Sequence, residues 1–242
     1  MPYELEPPQG KAIVATVLTI LGVLVVGAFA LRVAHFAGLI RSGEIKPSDV
    51  AFLSRYTPSM LARAIPFDAA KAASVDSPDD PSLGGTAATL TIVEFADFGC
   101  PYSRESSAVM RAASAKYSDR IRYVYRDFPI VELHPDAIVA SLAAECAHQQ
   151  GKFWEYHDKV YLSDDLSEAR LKAVAREVNL DEGAFDACLM GKRTQSEVEE
   201  DYKAGLDAGV RGTPTFFLNG TMIPGSIPED ILIRLIDRAL AS

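Results

Sequence analysis

Cysteine and tryptophan are scarce in this chain: 242 residues hold three of the first and one of the second. Three cysteines are too few to staple a small disulfide scaffold, so the fold has to rest on a hydrophobic core. Positive charge is also short, since 24 Lys and Arg face 33 Asp and Glu for a formal net charge of −9. A long basic patch is therefore absent, which argues against nucleic acid as a partner. No Cys-x-x-Cys and no His-x-x-x-His occurs, which leaves zinc without a ligand pattern. Neither a glycine-rich phosphate loop nor a Ser–His–Asp constellation stands out, and no cofactor is expected. Internal repeats are missing. The remainder, 48% apolar and 24% charged, is ordinary globular composition. At roughly 150 residues per domain, the length allows one or two domains.

The charges are unevenly spread. Residues 12–31, AIVATVLTILGVLVVGAFAL, carry none. A helix of that length spans about 30 Å, the hydrocarbon thickness of a bilayer. The segment reads as a transmembrane anchor. Its alternatives are a cleaved signal peptide, for which Ala28-Phe29-Ala30 offers a small-x-small site, and a buried core helix. Lys11 precedes the span; Arg32, Arg41 and Lys46 follow it. The positive-inside rule taken literally puts the C-terminal part in the cytoplasm, yet long domains translocate largely regardless of charge. Before the span, residues 1–11 form a short tail. After it, residues 32–88 read as a juxtamembrane segment and linker, because AAKAASVDSPDDPSLGGTAA is small, polar and rich in Pro and Gly.

A folded domain is expected over 89–242. The apolar, β-branched run TLTIVEF predicts a buried strand. After the turn ADFGCP a helix is expected from Cys100 or Pro101, carrying Val109, Met110, Ala113 and Tyr117 on one face. IRYVYRD alternates Ile121, Tyr123 and Tyr125 against Arg122, Val124 and Arg126, a strand pattern. Strand, helix and strand in this order suggest a parallel βαβ unit and an α/β fold. From about 135 to 212 the pattern is helical. Ile138, Leu142 and Cys146 mark one face; Leu171, Val174 and Ala175 a second; Phe185, Cys188 and Leu189 a third; Val198, Tyr202 and Leu206 a fourth. Asn219-Gly220 between apolar runs predicts a hairpin, because both central residues of a type I′ turn need positive φ. A closing amphipathic helix carries Ile231, Leu232, Leu235, Ile236 and Leu240.

The chemistry concentrates in FGCPYSRES. Cys100 is placed where a helix starts, and there unpaired N–H groups and the positive end of the helix dipole favour an anion. A thiolate is the nucleophile of thiol–disulfide exchange, and such a position activates it. The alternative is a buried, inert cysteine. Of the histidines, His35 lies past the span and His134 in a loop before Pro135. His148 and His157 are read onto one helix with Trp154, where Phe153, Trp154 and Tyr156 serve as packing residues.

From about Pro78 to Ser242 the sequence resembles the DsbA-like thioredoxin-fold proteins. The resemblance is carried by TIVEFADFGCPYS, ECAHQQGKFWEYHD and GVRGTPTFFLNGTMIPG. It implies a thioredoxin fold with a helical insertion, the element order already read from the residues. It further implies that Cys100 matches the family's exposed nucleophilic cysteine, and that Pro101 and Tyr102 match the dipeptide tuning its potential. Thr213-Pro214 would then match a cis-proline loop lying against that cysteine, where backbone groups at residue 213 can pair with an extended peptide. Glu94 matches a partly buried acid that assists proton transfer; the alternative is an edge or salt-bridged acid.

One departure matters. Where the family has its second cysteine, this chain has Ser103. A hydroxyl can donate a hydrogen bond to the Cys100 thiolate but cannot resolve a mixed disulfide. The expected activity is therefore monothiol exchange on protein thiols and disulfides, released by a second substrate thiol or a small thiol such as glutathione. The alternative is a redox-inactive module that binds peptides or acts as a chaperone. Cys146 and Cys188 lie on apolar helix faces. In an oxidising compartment they would form a structural disulfide; otherwise they are two buried thiols. The expected location is the extracytoplasmic side of a membrane, tethered through residues 12–31.

Overall fold

The structure is a computed structural model. It describes residues 18–19, 22, 26–29, 31–32, 65–66, 75–85 and 87–241. The chain divides into two units, 1–57 and 58–242. In the first, the described residues are helical, and Leu18, Val26, Phe29 and Leu31 are exposed. Most of the expected span 12–31 lies outside the described residues. Among those described, no helix is long and apolar enough to cross a membrane.

The second unit is a mixed α/β fold around a six-stranded sheet. Its strands are β1 (Ile65–Pro66), β2 (Ser82–Gly84), β3 (Leu90–Ala96), β4 (Ile121–Asp127), β5 (Thr215–Leu218) and β6 (Thr221–Pro224), in the order β1-β6-β5-β3-β4-β2. β3 and β4 run parallel, with α1 (Pro101–Tyr117) between them in the chain. β5 pairs antiparallel with β3, so the beginning and the end of this unit meet at the centre of the sheet.

Both central strands are buried on both faces, which explains the near-continuous apolar run of β3. Val93 and Phe95 pack with Val124, Phe128, Phe217 and Val75 on one face. On β4 the alternation read from the sequence does not separate a wet face from a dry one. Arg126 is buried beside Val124, and its charge is matched by Asp80 at 3.0 Å and Asp201 at 2.5 Å. The β5–β6 hairpin turns at Asn219 and Gly220 with φ of 43° and 84°, the conformation expected from that dipeptide. Asn219 also ties the turn to β3: its Oδ1 accepts from the Thr91 N–H at 2.9 Å, and its own N–H donates to the Thr91 carbonyl at 3.0 Å.

Between β4 and β5 lie α2 (Ala137–His148), α3 (Phe153–Tyr161), α4 (Glu168–Glu177), α5 (Glu182–Met190) and α6 (Gln195–Ala208); α7 (Glu229–Leu240) closes the chain. Contrary to the sequence reading, His148 and His157 do not share a helix: the first ends α2 and the second lies in α3. The chain turns at Gly151 with φ of 69°, a left-handed conformation that favours glycine. Two expected core residues face outward: Ile138 is 36% exposed and Leu206 42%. Small side chains take their places. α2 buries Ala137, Ala140, Ala143, Ala144 and Ala147. α6 buries Gly205 and Ala208, and a Cβ on Gly205 would stand 2.6 Å from the Phe128 ring. Cys146 and Cys188 are joined in a disulfide that links α2 to α5, with Cα atoms 5.9 Å apart.

Part of the stretch read as linker belongs to this fold. β2 pairs with β4, and β1 pairs with β6. Val75 and Asp80 are buried. Residues 79–82 are fastened to the helical block by backbone carbonyls: Asp79 O lies 3.0 Å from His148 Nε2, and Ser82 O accepts from Trp154 Nε1 at 3.2 Å. Composition missed this segment because backbone groups and one buried ion pair hold it, with little apolar surface of its own.

Candidate active site

Cys100 is the N-cap of α1, in extended conformation, with Pro101 as the first helical residue. A proline there loses no hydrogen bond, because that N–H has no partner within the helix. The Cys100 carbonyl accepts the first helical bond, from the Arg104 N–H at 3.0 Å. The thiol donates to the Thr213 carbonyl at 3.3 Å. The Thr213–Pro214 peptide is cis, as the resemblance implied. The register of β5 against β3 makes this meeting possible. Phe95 pairs with Thr215, so the loops leaving β3 and entering β5 lie together at one end of the sheet.

The expected exposure of Cys100 needs correction: only 5% of the residue is accessible. The Thr213–Pro214 segment lies against the sulfur. Beside that segment, Arg211, Gly212, Pro214, Met222 and Pro224 line a cavity of about 370 Å³. Pro101 is exposed and Tyr102 half-exposed.

Ser103 is fully buried, and its hydroxyl oxygen accepts the Asp97 N–H at 3.3 Å. It does not hydrogen-bond Cys100, so the expected donation to the sulfur is absent from this geometry. One turn into the helix, the side chain is directed back to the strand–helix loop.

Glu94 lies on β3 and is buried to 1% accessibility. Its Oε2 accepts from the Tyr123 hydroxyl at 2.5 Å. Burial pushes its carboxyl up from 4.5 to about 8, against the opposing effect of the Tyr123 hydrogen bond. It is neither an edge acid nor salt-bridged. It makes no hydrogen bond to Cys100.

Two residues at this site had no role in the sequence reading. Asp97 is fully buried. Its Oδ1 accepts the Gly99 N–H at 2.7 Å, and its Oδ2 faces the Ile130 N–H at 2.9 Å and His134 Nδ1 at 2.8 Å. Its backbone carbonyl accepts from the Cys100 N–H at 3.0 Å. One residue thus organises the whole turn. An Asp two positions before a glycine and three before a helix-initiating cysteine was a readable turn signal. His134 had none, because its partner lies 37 positions away.

A second acidic group lies elsewhere. Asp79, Asp80 and Glu197 bring ligand atoms within 4.8 Å of one another. Asp80 is also the ion-pair partner of Arg126, and burial pushes its carboxyl up to about 9.

Comparison with known proteins now bears on this geometry. The family described as Thioredoxin matches residues 76–238. A thioredoxin-like oxidoreductase from Silicibacter pomeroyi DSS-3 superposes with a TM-score of 0.63 at 28% identity, covering 69% of this chain and 96% of that one. The thiol-disulfide exchange protein alpha-DsbA2 from Wolbachia pipientis shares the fold with a TM-score of 0.65 at 16% identity, covering 76% and 99%. Among curated relatives, the Na(+)/H(+) antiporter NhaA 3 of Salinispora tropica is 37% identical over 169 residues, 69% of this chain and 26% of that protein. The NhaA antiporter of Herminiimonas arsenicoxydans is 34% identical over 157 residues. The chain spans about a quarter of the length of these curated relatives.

Proposed function

The chain belongs to the thioredoxin family, with DsbA-like thiol-disulfide oxidoreductases as its relatives in structure, and from that membership we propose that it exchanges thiols and disulfides of protein substrates through Cys100 alone. The observation that carries this reading is the seating of the sulfur: a helix N-cap on one side and the Thr213 carbonyl, 3.3 Å away beside a cis-proline, on the other. An extended substrate that pairs with the backbone of residue 213 brings its own sulfur to Cys100.

The cycle needs no second cysteine in the site. The Cys100 thiolate attacks a substrate disulfide, forming one S–S bond and expelling one thiolate. A second thiol, from the substrate or from a small thiol such as glutathione, then attacks the mixed disulfide and returns Cys100 as a thiolate. The sequence of steps isomerises a disulfide or reduces it, according to which thiol completes it. Net oxidation of a dithiol lies outside this cycle unless Cys100 is oxidised first.

A membrane tether through residues 12–31 with the domain on the extracytoplasmic side completes the proposal. It is supported by the charge-free run itself, by the exposure of Leu18, Val26, Phe29 and Leu31, and by the Cys146–Cys188 disulfide, a bond that persists in oxidising compartments. A reporter that is active only outside the cytoplasm, fused after Ser242, should give signal; silence overturns the placement.

A second reading, a peptide-binding module without redox activity, draws on the 5% accessibility of Cys100. The two are separated by incubating the full chain with a disulfide-bonded peptide and analysing it by mass. Exchange predicts a mixed disulfide on Cys100 that glutathione releases, and none in Cys100→Ser. Bound peptide without any covalent adduct favours the module and overturns the exchange reading.

A further inference from the structure

We propose that His134, oriented by Asp97, is the proton-transfer group for the substrate sulfur that reacts at Cys100. The inference rests on the exchange reading given above and adds to it the residue that manages the proton.

Three geometric facts carry it. First, His134 Nδ1 lies 2.8 Å from Asp97 Oδ2, an oxygen that also takes the Ile130 N–H. With its hydrogen on Nδ1 the ring satisfies that carboxylate, and the proton exchange is assigned to Nε2. Second, the side chain rests on Gly99, the residue before the thiol. A Cβ there would stand 2.5 Å from His134 Cβ and 2.9 Å from Cγ, so glycine is what admits the histidine. Third, the histidine side chain is 22% accessible while Asp97 is fully buried. The ring therefore reaches solvent, but its orientation is set from within.

Asp97 couples the two groups rigidly. Its carboxylate holds the ring and the Gly99 N–H, its carbonyl holds the Cys100 N–H, and its own N–H holds Ser103. Among the described residues, Asp97 is the charged group in hydrogen-bonding contact with the ring. Glu132 and Asp136, both exposed, flank it on its own loop.

The proton balance follows. When the Cys100 thiolate attacks, the Cys100–S bond forms and the substrate S–S bond breaks. The departing thiolate takes the proton from the His134 imidazolium and leaves as a thiol, and the ring becomes neutral. In the release step the neutral ring takes the proton of the incoming thiol. The new thiolate attacks the substrate sulfur of the mixed disulfide, and Cys100 departs as a thiolate. Electrons stay among the sulfurs, and no outside oxidant enters.

A basic alkyl thiolate gains from being protonated as it leaves, whereas an acidic aryl thiolate leaves readily unaided. His134→Asn keeps a side-chain N–H near Nδ1 for Asp97 but removes the titrating nitrogen. The full chain and this variant are compared on an alkyl disulfide, diglutathione, and an aryl one, 5,5′-dithiobis(2-nitrobenzoate). Loss of a positioned acid–base group typically costs about 10²-fold or more. The expected result is a loss of that order on the alkyl disulfide with less than about threefold on the aryl one. An equal loss on both shows a structural role and overturns the inference, as does no loss on either. Urea denaturation of the variant runs alongside; if its midpoint falls, His134→Gln, which places its amide near Nε2, must still discriminate between the two disulfides. A wild-type chain inert toward both disulfides overturns the exchange reading and this inference with it, a result distinct from an active wild type that its variant matches.

Discussion

Replacing Glu94 by glutamine removes a charge that the core is poorly built to hold. The side chain is buried to 1% accessibility, and its hydrogen-bond partner is the Tyr123 hydroxyl at 2.5 Å. Burial raises its carboxyl from 4.5 to about 8. Between those two values the folded chain keeps a proton that the unfolded chain releases. The stability associated with that proton is whole below about 4.5 and is lost as pH rises toward 8. At 1.36 kcal/mol per pK unit, the loss accumulated between pH 5 and pH 8 is roughly 3 kcal/mol. Glutamine is neutral throughout, and its amide oxygen can still accept from Tyr123. Any fixed cost of its extra N–H donors cancels between pH values, as do the contributions of Asp80 and Asp127, which burial also raises and which both proteins share. Urea denaturation of wild type and Glu94→Gln at pH 5, 6, 7 and 8 reads the effect, provided the m-value is unchanged. The stability of the variant relative to wild type should climb by roughly 3 kcal/mol over that range. A difference that stays flat to within about 0.5 kcal/mol would refute the reasoning, because a buried carboxyl with an ordinary affinity for protons produces no such slope.

Ser103→Cys restores a second thiol one turn into α1; treated with diglutathione as oxidant, which is reduced to two glutathione thiols, the new thiol should form a disulfide with Cys100, seen by mass as the loss of two hydrogens, and the oxidised variant should then oxidise a dithiol peptide once per chain. Gly205→Ala should destabilise by about 1–3 kcal/mol in chemical denaturation, because the new methyl would stand 2.6 Å from Phe128 and 3.0 Å from Phe95. Converting Cys146 and Cys188 together to alanine opens a link between residues 42 positions apart and should cost roughly 2–4 kcal/mol in the same assay, while the exchange rate at Cys100 is retained.

The elements that carry chemistry were legible because each has a local signature. β3 is a short β-branched run, α1 begins on a proline, and Asn219-Gly220 admits few conformations besides the turn it makes. What the sequence concealed was long-range. Arg126 reads as a strand's wet face until Asp80 and Asp201 are seen closing on it. Ile138 and Leu206 are apolar at helical spacing, but α2 and α6 bury alanine and glycine faces instead, where close packing outweighs side-chain area. In the site, Cys100 and Pro101 were legible from the helix start they mark, and Thr213-Pro214 through a family resemblance. Asp97 and His134 were passed over, since a lone histidine before a proline says nothing of a carboxylate distant in the chain. Ser103 lies one turn into α1, and its hydroxyl serves the Asp97 N–H rather than the Cys100 sulfur.

The sulfur and the carbonyl that lies against it are translated at different times. Cys100 and Thr213 are separated by 113 positions, so at about 5–20 residues per second the sulfur waits on the order of 5–25 seconds for its cover. During that interval Cys146 emerges before its partner Cys188 does. Wherever the growing chain meets an oxidant, it holds two unmatched thiols at once, and the wrong pairing between them is open until the later helix arrives.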